Sequence, residues 1–186
     1  MNRAVFPTAG GQQRLSALAT VPGSDLEYFK LSYKHQEYFP LARDLTFRLF
    51  ADVAYGDGYG DTDELPFFEN YFAGGVKSVR GYDDNTIGSR DSNGDPFGGS
   101  VKLVGKAELY FPVPFAGDIK SIRIGSFIDA GTVTDDFDLG ALRYSIGLSG
   151  EWLSPFGALA VSFALPMNAG DDDEEQMFQF SFGSGF

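Results

Sequence analysis

The stretch Arg143-Tyr144-Ser145-Ile146-Gly147-Leu148-Ser149-Gly150-Glu151-Trp152 places large apolar side chains at Tyr144, Ile146, Leu148 and Trp152, with small or charged residues between them. A period of two sends successive side chains to opposite faces, so this is a β-strand with one apolar and one polar side. The alternation continues outward in both directions. Val101, Leu103, Ala107, Leu109 and Phe111 alternate with Lys102, Lys106, Glu108 and Tyr110. Leu45, Phe47, Leu49, Val53 and Tyr55 alternate with Thr46, Arg48 and Asp52. Leu159, Val161, Phe163 and Leu165 form a fourth apolar row, and Phe178, Phe180 and Phe182 a fifth. Weaker versions run through 15–21, 27–39 and 122–133, giving about eight strands, long by globular standards.

Two architectures give every strand one apolar face. A soluble sandwich points that face inward, whereas an outer-membrane barrel points it at lipid and keeps a polar lumen. Here the polar face is rich in small residues (Gly125, Gly147, Ser149, Ser162, Ala164, Gly183), where a water-facing surface would carry more long Lys and Glu side chains. Aromatics sit near the strand ends at Phe39, Tyr55, Phe111 and Trp152, as interfacial girdles do. Connections also alternate. Those at 40–43, 112–118 and 154–157 are tight and contain proline, while 57–100, 133–141 and 167–176 are longer and acidic. The short 22–25 connection is the exception. Short turns at one end and long loops at the other are a barrel habit. Both features favour an all-β, antiparallel transmembrane barrel.

Composition narrows the function. The 186 residues hold 14 Lys+Arg against 26 Asp+Glu, a formal charge of -12, which argues against a nucleic-acid surface. Zero cysteines remove disulfides and thiol chemistry, and the single His35 leaves no multi-histidine site. No apolar run approaches the roughly 18–20 residues of a membrane helix. The N-terminus shows no charged start followed by an apolar stretch, so no signal peptide is read there. The segments 57–64 and 91–95 look like calcium loops but lack Gly and Glu where an EF-hand needs them. The run Asp171-Asp172-Asp173-Glu174-Glu175 reads as a solvated charge cluster. No catalytic set, cofactor or metal site is expected, and the chain is not read as an enzyme.

The 57–100 connection exceeds the length of ordinary loops, and it carries Leu65, Phe67, Phe68, Tyr71, Phe72, Val76, Val79 and Tyr82, which need somewhere to bury. It has no strand of its own in this reading. Inside it lies Val79-Arg80-Gly81-Tyr82, preceded by Phe67-Phe68-Glu69-Asn70-Tyr71-Phe72-Ala73-Gly74-Gly75. With Phe127-Ile128-Asp129-Ala130-Gly131-Thr132-Val133, Glu151-Trp152-Leu153-Ser154-Pro155-Phe156-Gly157 and the terminal Gln179-to-Phe186 stretch, it resembles the BamA family of outer-membrane barrels, which fold and insert other barrels. The resemblance covers nearly the whole chain.

The resemblance implies that the loop enters the lumen and that Arg80 pairs with Glu108 and Asp129 on the barrel wall. The plainer alternative is a solvated loop charge. It implies that Phe178, Phe180, Phe182, Gly183 and Phe186 form the terminal strand and a lateral gate, where nascent strands enter; the plainer alternative is an ordinary edge strand. Implied partners are outer-membrane lipid and lipopolysaccharide, nascent outer-membrane proteins, and assembly-machinery lipoproteins. Residues 1–186 would be the C-terminal half of a roughly sixteen-stranded barrel domain, without the family's POTRA domains. Eight strands closing alone leave room only for side chains and would expel the loop, so a homodimer joined edge to edge is the favoured closure. A passive structural barrel or small pore, and a soluble sandwich that binds a partner, stay open as other functions.

Overall fold

In the structure, a computed structural model, eight antiparallel strands form one sheet in strict chain order. They are β1 (Gly10–Ala19), β2 (Tyr28–Ala42), β3 (Leu45–Gly58), β4 (Val101–Phe111), β5 (Ile122–Thr134), β6 (Arg143–Ser154), β7 (Gly157–Pro166) and β8 (Phe178–Gly183). All residues are described except 3–5, 112, 114–120, 171 and 184–186. The 112–118 connection, Asp171 and Phe186 therefore fall wholly or largely outside the described residues.

Each strand pairs with the one before it, as an up-and-down meander requires, with one shift in register between Pro40 and Ala42. Proline has no N–H to give the ladder, so the irregularity falls where a donor is missing. The β6–β7 turn is closed by Ser154, whose hydroxyl donates to the Gly157 carbonyl at 2.7 Å and accepts from the Phe156 N–H. The opposite end of the sheet carries the long connections.

Which face is buried separates the two architectures. The apolar rows are exposed: Leu148 is 62 %, Phe163 53 % and Phe180 68 % accessible. The polar row is hidden: Asp129 and Ser145 are 0 % and Gln179 is 3 % accessible. A water-soluble sandwich has the reverse arrangement, since its apolar face supplies the folding free energy. A sheet that shows Phe and Leu outward and buries Asp and Gln is built for lipid outside and a polar lumen within.

The loop between β3 and β4 covers the inner face. Ala73, Val79, Tyr82 and Ile87 pack on Val104 and Val133 of the wall to make a small apolar core between loop and sheet. Gly131 makes room for this: a side chain there would meet Val79 at 2.7 Å.

Three expectations need correction. The loop does have secondary structure: a 3-10 turn at Phe67–Glu69, a pairing of Gly81–Tyr82 with Glu175–Gln176, and a small hairpin of Ser89–Arg90 with Pro96–Gly98. It also starts later than residue 57, because β3 runs on to Gly58. And Phe67 and Phe68 are not buried but 65 % and 60 % exposed. The sheet itself is open, since among the described residues β1 pairs only with β2 and β8 only with β7.

Candidate functional site

The site is assembled from cross-strand pairs. Register sets Arg48 of β3 opposite Glu108 of β4, Lys106 of β4 opposite Asp129 of β5, and Arg123 of β5 opposite Glu151 of β6. All point inward, because each lies on the polar parity of its strand. Opposite charges facing across a ladder stabilise one another, and here they leave a row of acids and bases on the lumen wall.

Arg80 comes down onto that row from the loop. Its Nε donates to Asp129 Oδ2 and its Nη2 to Asp129 Oδ1, each at 2.7 Å, so the guanidinium grips the carboxylate with two parallel bonds. The Arg80 backbone N–H adds a third bond to the same carboxylate at 3.1 Å. Nη2 also lies 2.6 Å from Glu108 Oε1, and the guanidinium stacks 3.4 Å above the Phe127 ring. The Arg80 side chain is 7 % accessible. A charge that dry is tolerable only when well paired, and here two carboxylates share it, one of them bidentate.

The pairing extends along the wall. Glu108 takes Arg48 on its other oxygen and a hydrogen bond from the Tyr110 hydroxyl at 2.8 Å. Arg123 holds Glu151 at 2.6 Å. Lys106 donates to the Val76 carbonyl at 3.1 Å, a second tie between wall and loop.

The rest of the motif explains itself physically. Val79 is fully buried in the loop core. Gly81 has φ +92, and a side chain there would sit 3.2 Å from the Ala164 Cβ and 3.3 Å from Pro166. Only glycine meets both the backbone conformation and the close approach to β7. Tyr82 is fully buried, and its hydroxyl donates to the Tyr144 carbonyl at 3.3 Å. Burial, reinforced by the nearby Asp173 carboxylate, pushes the Tyr82 phenol up to about 12. At the far end of the loop, a hydrogen bond from Lys30 holds the Glu69 carboxyl below its ordinary range.

The terminal strand β8 is joined to this motif. Gln179, between Phe178 and Phe180, turns inward, donates to the Tyr82 carbonyl at 2.7 Å and accepts from the Gly81 N–H at 3.3 Å. Phe178, Phe180 and Phe182 face outward opposite Phe163, Val161 and Leu159 of β7. Gly183 has φ +145, and a side chain there would meet nothing among the described residues within 4 Å. Phe186 lies outside the described residues.

Sequence reasoning passed over Gln179, Arg48 and Phe127 as site residues. Parity was the available signal for all three, since each is an inward residue adjacent to the motif's path. Parity alone does not say which inward residues a loop will reach.

The Omp85 superfamily domain matches residues 1–186. The outer membrane protein assembly factor BamA of Neisseria meningitidis serogroup B is 37 % identical over 98 % of this chain and 27 % of that protein. The BamA of Nitratidesulfovibrio vulgaris is 30 % identical over 88 % of the chain and 21 % of its own length. The mouse sorting and assembly machinery component 50 homolog is 29 % identical over 71 % of the chain and 29 % of its own length. The crystal structure of Haemophilus ducreyi BamA lacking POTRA domains 1–3 superposes with a TM-score of 0.90 at 32 % identity, covering 96 % of this chain and 39 % of that one. The chain thus spans about a quarter of the length of the curated relatives it matches. With its apolar face outward and its polar face roofed by the loop, the chain belongs to the Omp85 superfamily and forms part of a BamA-type β-barrel of the bacterial outer membrane.

Proposed function

We propose that this chain is a core part of an outer-membrane insertase, which folds and inserts barrel proteins without covalent chemistry through its terminal strand and lateral gate. The observation that carries the reading is the state of β8. Its outer edge is unpaired among the described residues, and Gln179 tethers it to the loop motif. A free strand edge is a template: its backbone groups bind an incoming strand, and alternate side-chain positions select it. Arg80, by fixing the loop to the wall, fixes the inner support of that edge.

On this reading the partners are nascent outer-membrane proteins and the lipoproteins of an assembly machine, with outer-membrane lipid and lipopolysaccharide around the barrel. The chain is a scaffold and not an enzyme. The ion-paired loop on the lumen face argues against a passive pore. The test is refolding of a substrate barrel into liposomes: the chain is expected to accelerate it, and Arg80→Ala to remove most of the gain. Conductance without acceleration would overturn the insertase reading.

The unpaired edges of β1 and β8 are costly in lipid, where backbone groups find no water. We propose that isolated chains satisfy them edge to edge as a homodimer of about sixteen strands. Mass measurement in detergent checks this, and a monodisperse monomer would refute it.

A further inference from the structure

The Arg80 half of the loop is accounted for by its contacts with the wall, but the other half presents aromatics that nothing among the described residues covers. Phe67 meets Phe68 edge-on at 5.5 Å and stacks on Phe97 at 6.2 Å, nearly parallel. The backbone beneath them is firmly held. Tyr71 and Gly99 exchange two backbone hydrogen bonds, Asn70 Nδ2 donates to the Phe97 carbonyl at 3.0 Å, and Lys30 Nζ reaches both the Glu69 carbonyl at 2.6 Å and its carboxylate at 2.9 Å. Ordered scaffolding that displays a cluster of exposed phenylalanines marks a contact surface.

Its neighbours say with what. The cluster borders a crevice of about 1220 Å3 whose wall includes Val53 and Tyr55 of β3 and Leu103 of β4. These belong to the outward apolar rows. Phe137, 70 % exposed in the β5–β6 connection, closes another side. The crevice is therefore continuous with the lipid-facing band and lies just beyond Tyr55, the girdle aromatic of β3, whose hydroxyl donates to Asp57 at 2.6 Å. The carboxylates of Asp25, Asp57, Asp61, Asp63, Glu64, Asp135 and Asp136 also line it, with no Lys or Arg among the lining residues. Carboxylates do not enter hydrocarbon, so they set the headgroup level at this end, while Val53, Tyr55 and Leu103 line the crevice on its membrane side.

We propose that this crevice seats acyl chains of outer-leaflet lipid, so that Phe67, Phe68, Phe97 and Phe137 form a second aromatic tier above β3 and β4. One loop would then serve two surfaces, the lumen wall through Arg80 and the membrane through its phenylalanines. The inference rests on the outer-membrane reading given above and adds a lipid site to it.

The chain has a single tryptophan, Trp152, on the lipid-facing row. The test reconstitutes the full chain into phosphatidylcholine vesicles brominated along the acyl chain and measures tryptophan quenching. Phe68→Trp and, separately, Phe97→Trp are made in a Trp152→Phe background, with Asn93→Trp on the exposed hairpin as the aqueous reference. Both phenylalanine-site probes are expected to be quenched roughly twofold or more above the Asn93→Trp reference, approaching unaltered Trp152. Quenching of both at the reference level, with Trp152 itself quenched, would overturn the lipid site alone. An unquenched Trp152 would overturn the membrane reading and the site together.

Discussion

The two ends of the loop joining β3 to β4 are built on opposite principles. Around Arg80 the side chains are buried, the guanidinium grips Asp129 with two parallel bonds, and Gly81 beside it packs closely against Ala164 and Pro166. Around Phe67 and Phe68 the backbone is equally well held, but the side chains point away from the protein. Order and burial are therefore separate properties. The first end is ordered by what its side chains bind within the chain. The second is ordered by its backbone, which leaves its side chains free for something outside.

The largest effect should come from the dry end. Arg80→Ala leaves the buried carboxylate of Asp129 without its hydrogen-bonded partner, with only the cross-strand charge of Lys106 remaining, a change expected to cost about 3–5 kcal/mol in urea unfolding followed by heat-modifiable mobility. Glu108 keeps Arg48, which makes Asp129 the group that suffers. Gly81→Ala should cost about 1–3 kcal/mol in the same assay, because it adds a methyl group at positive φ against Ala164 and Pro166. Phe68→Ser, at the exposed end, should stay within about 0.5 kcal/mol, as substitutions outside packed regions do. If Phe68→Ser cost as much as Gly81→Ala, the contrast between the ends would fail. If it left stability unchanged while lowering retention in vesicles, the contrast would sharpen into a division of labour.

The strands were legible because alternation is a local property. Tyr144, Ile146 and Leu148 announce an outward row without reference to any other part of the chain, and the small residues opposite them suggest a lumen. Arg80 was legible as a motif residue through family resemblance, which also named Glu108 and Asp129. No spacing in the sequence points to them. Gln179 was missed although its parity was read correctly, because its partners, Gly81 and Tyr82, lie almost a hundred residues earlier. Phe67 and Phe68 were misread as buried. Hydrophobicity says that a side chain avoids water, but lipid satisfies that demand as well as a protein core does.

By itself the sequence determined the strand periodicity, the two unlike faces and the division into tight turns and long loops, since these follow from backbone geometry within a few residues. Tertiary structure decided which inward residues meet, which half of the loop lies against the wall, and that among the described residues the sheet is open at both edges. Those outcomes depend on register and curvature summed over eight strands, and the contact between Arg80 and Asp129 spans 49 residues of chain. An alternating pattern tells each strand which way to face. It cannot tell a loop where to land.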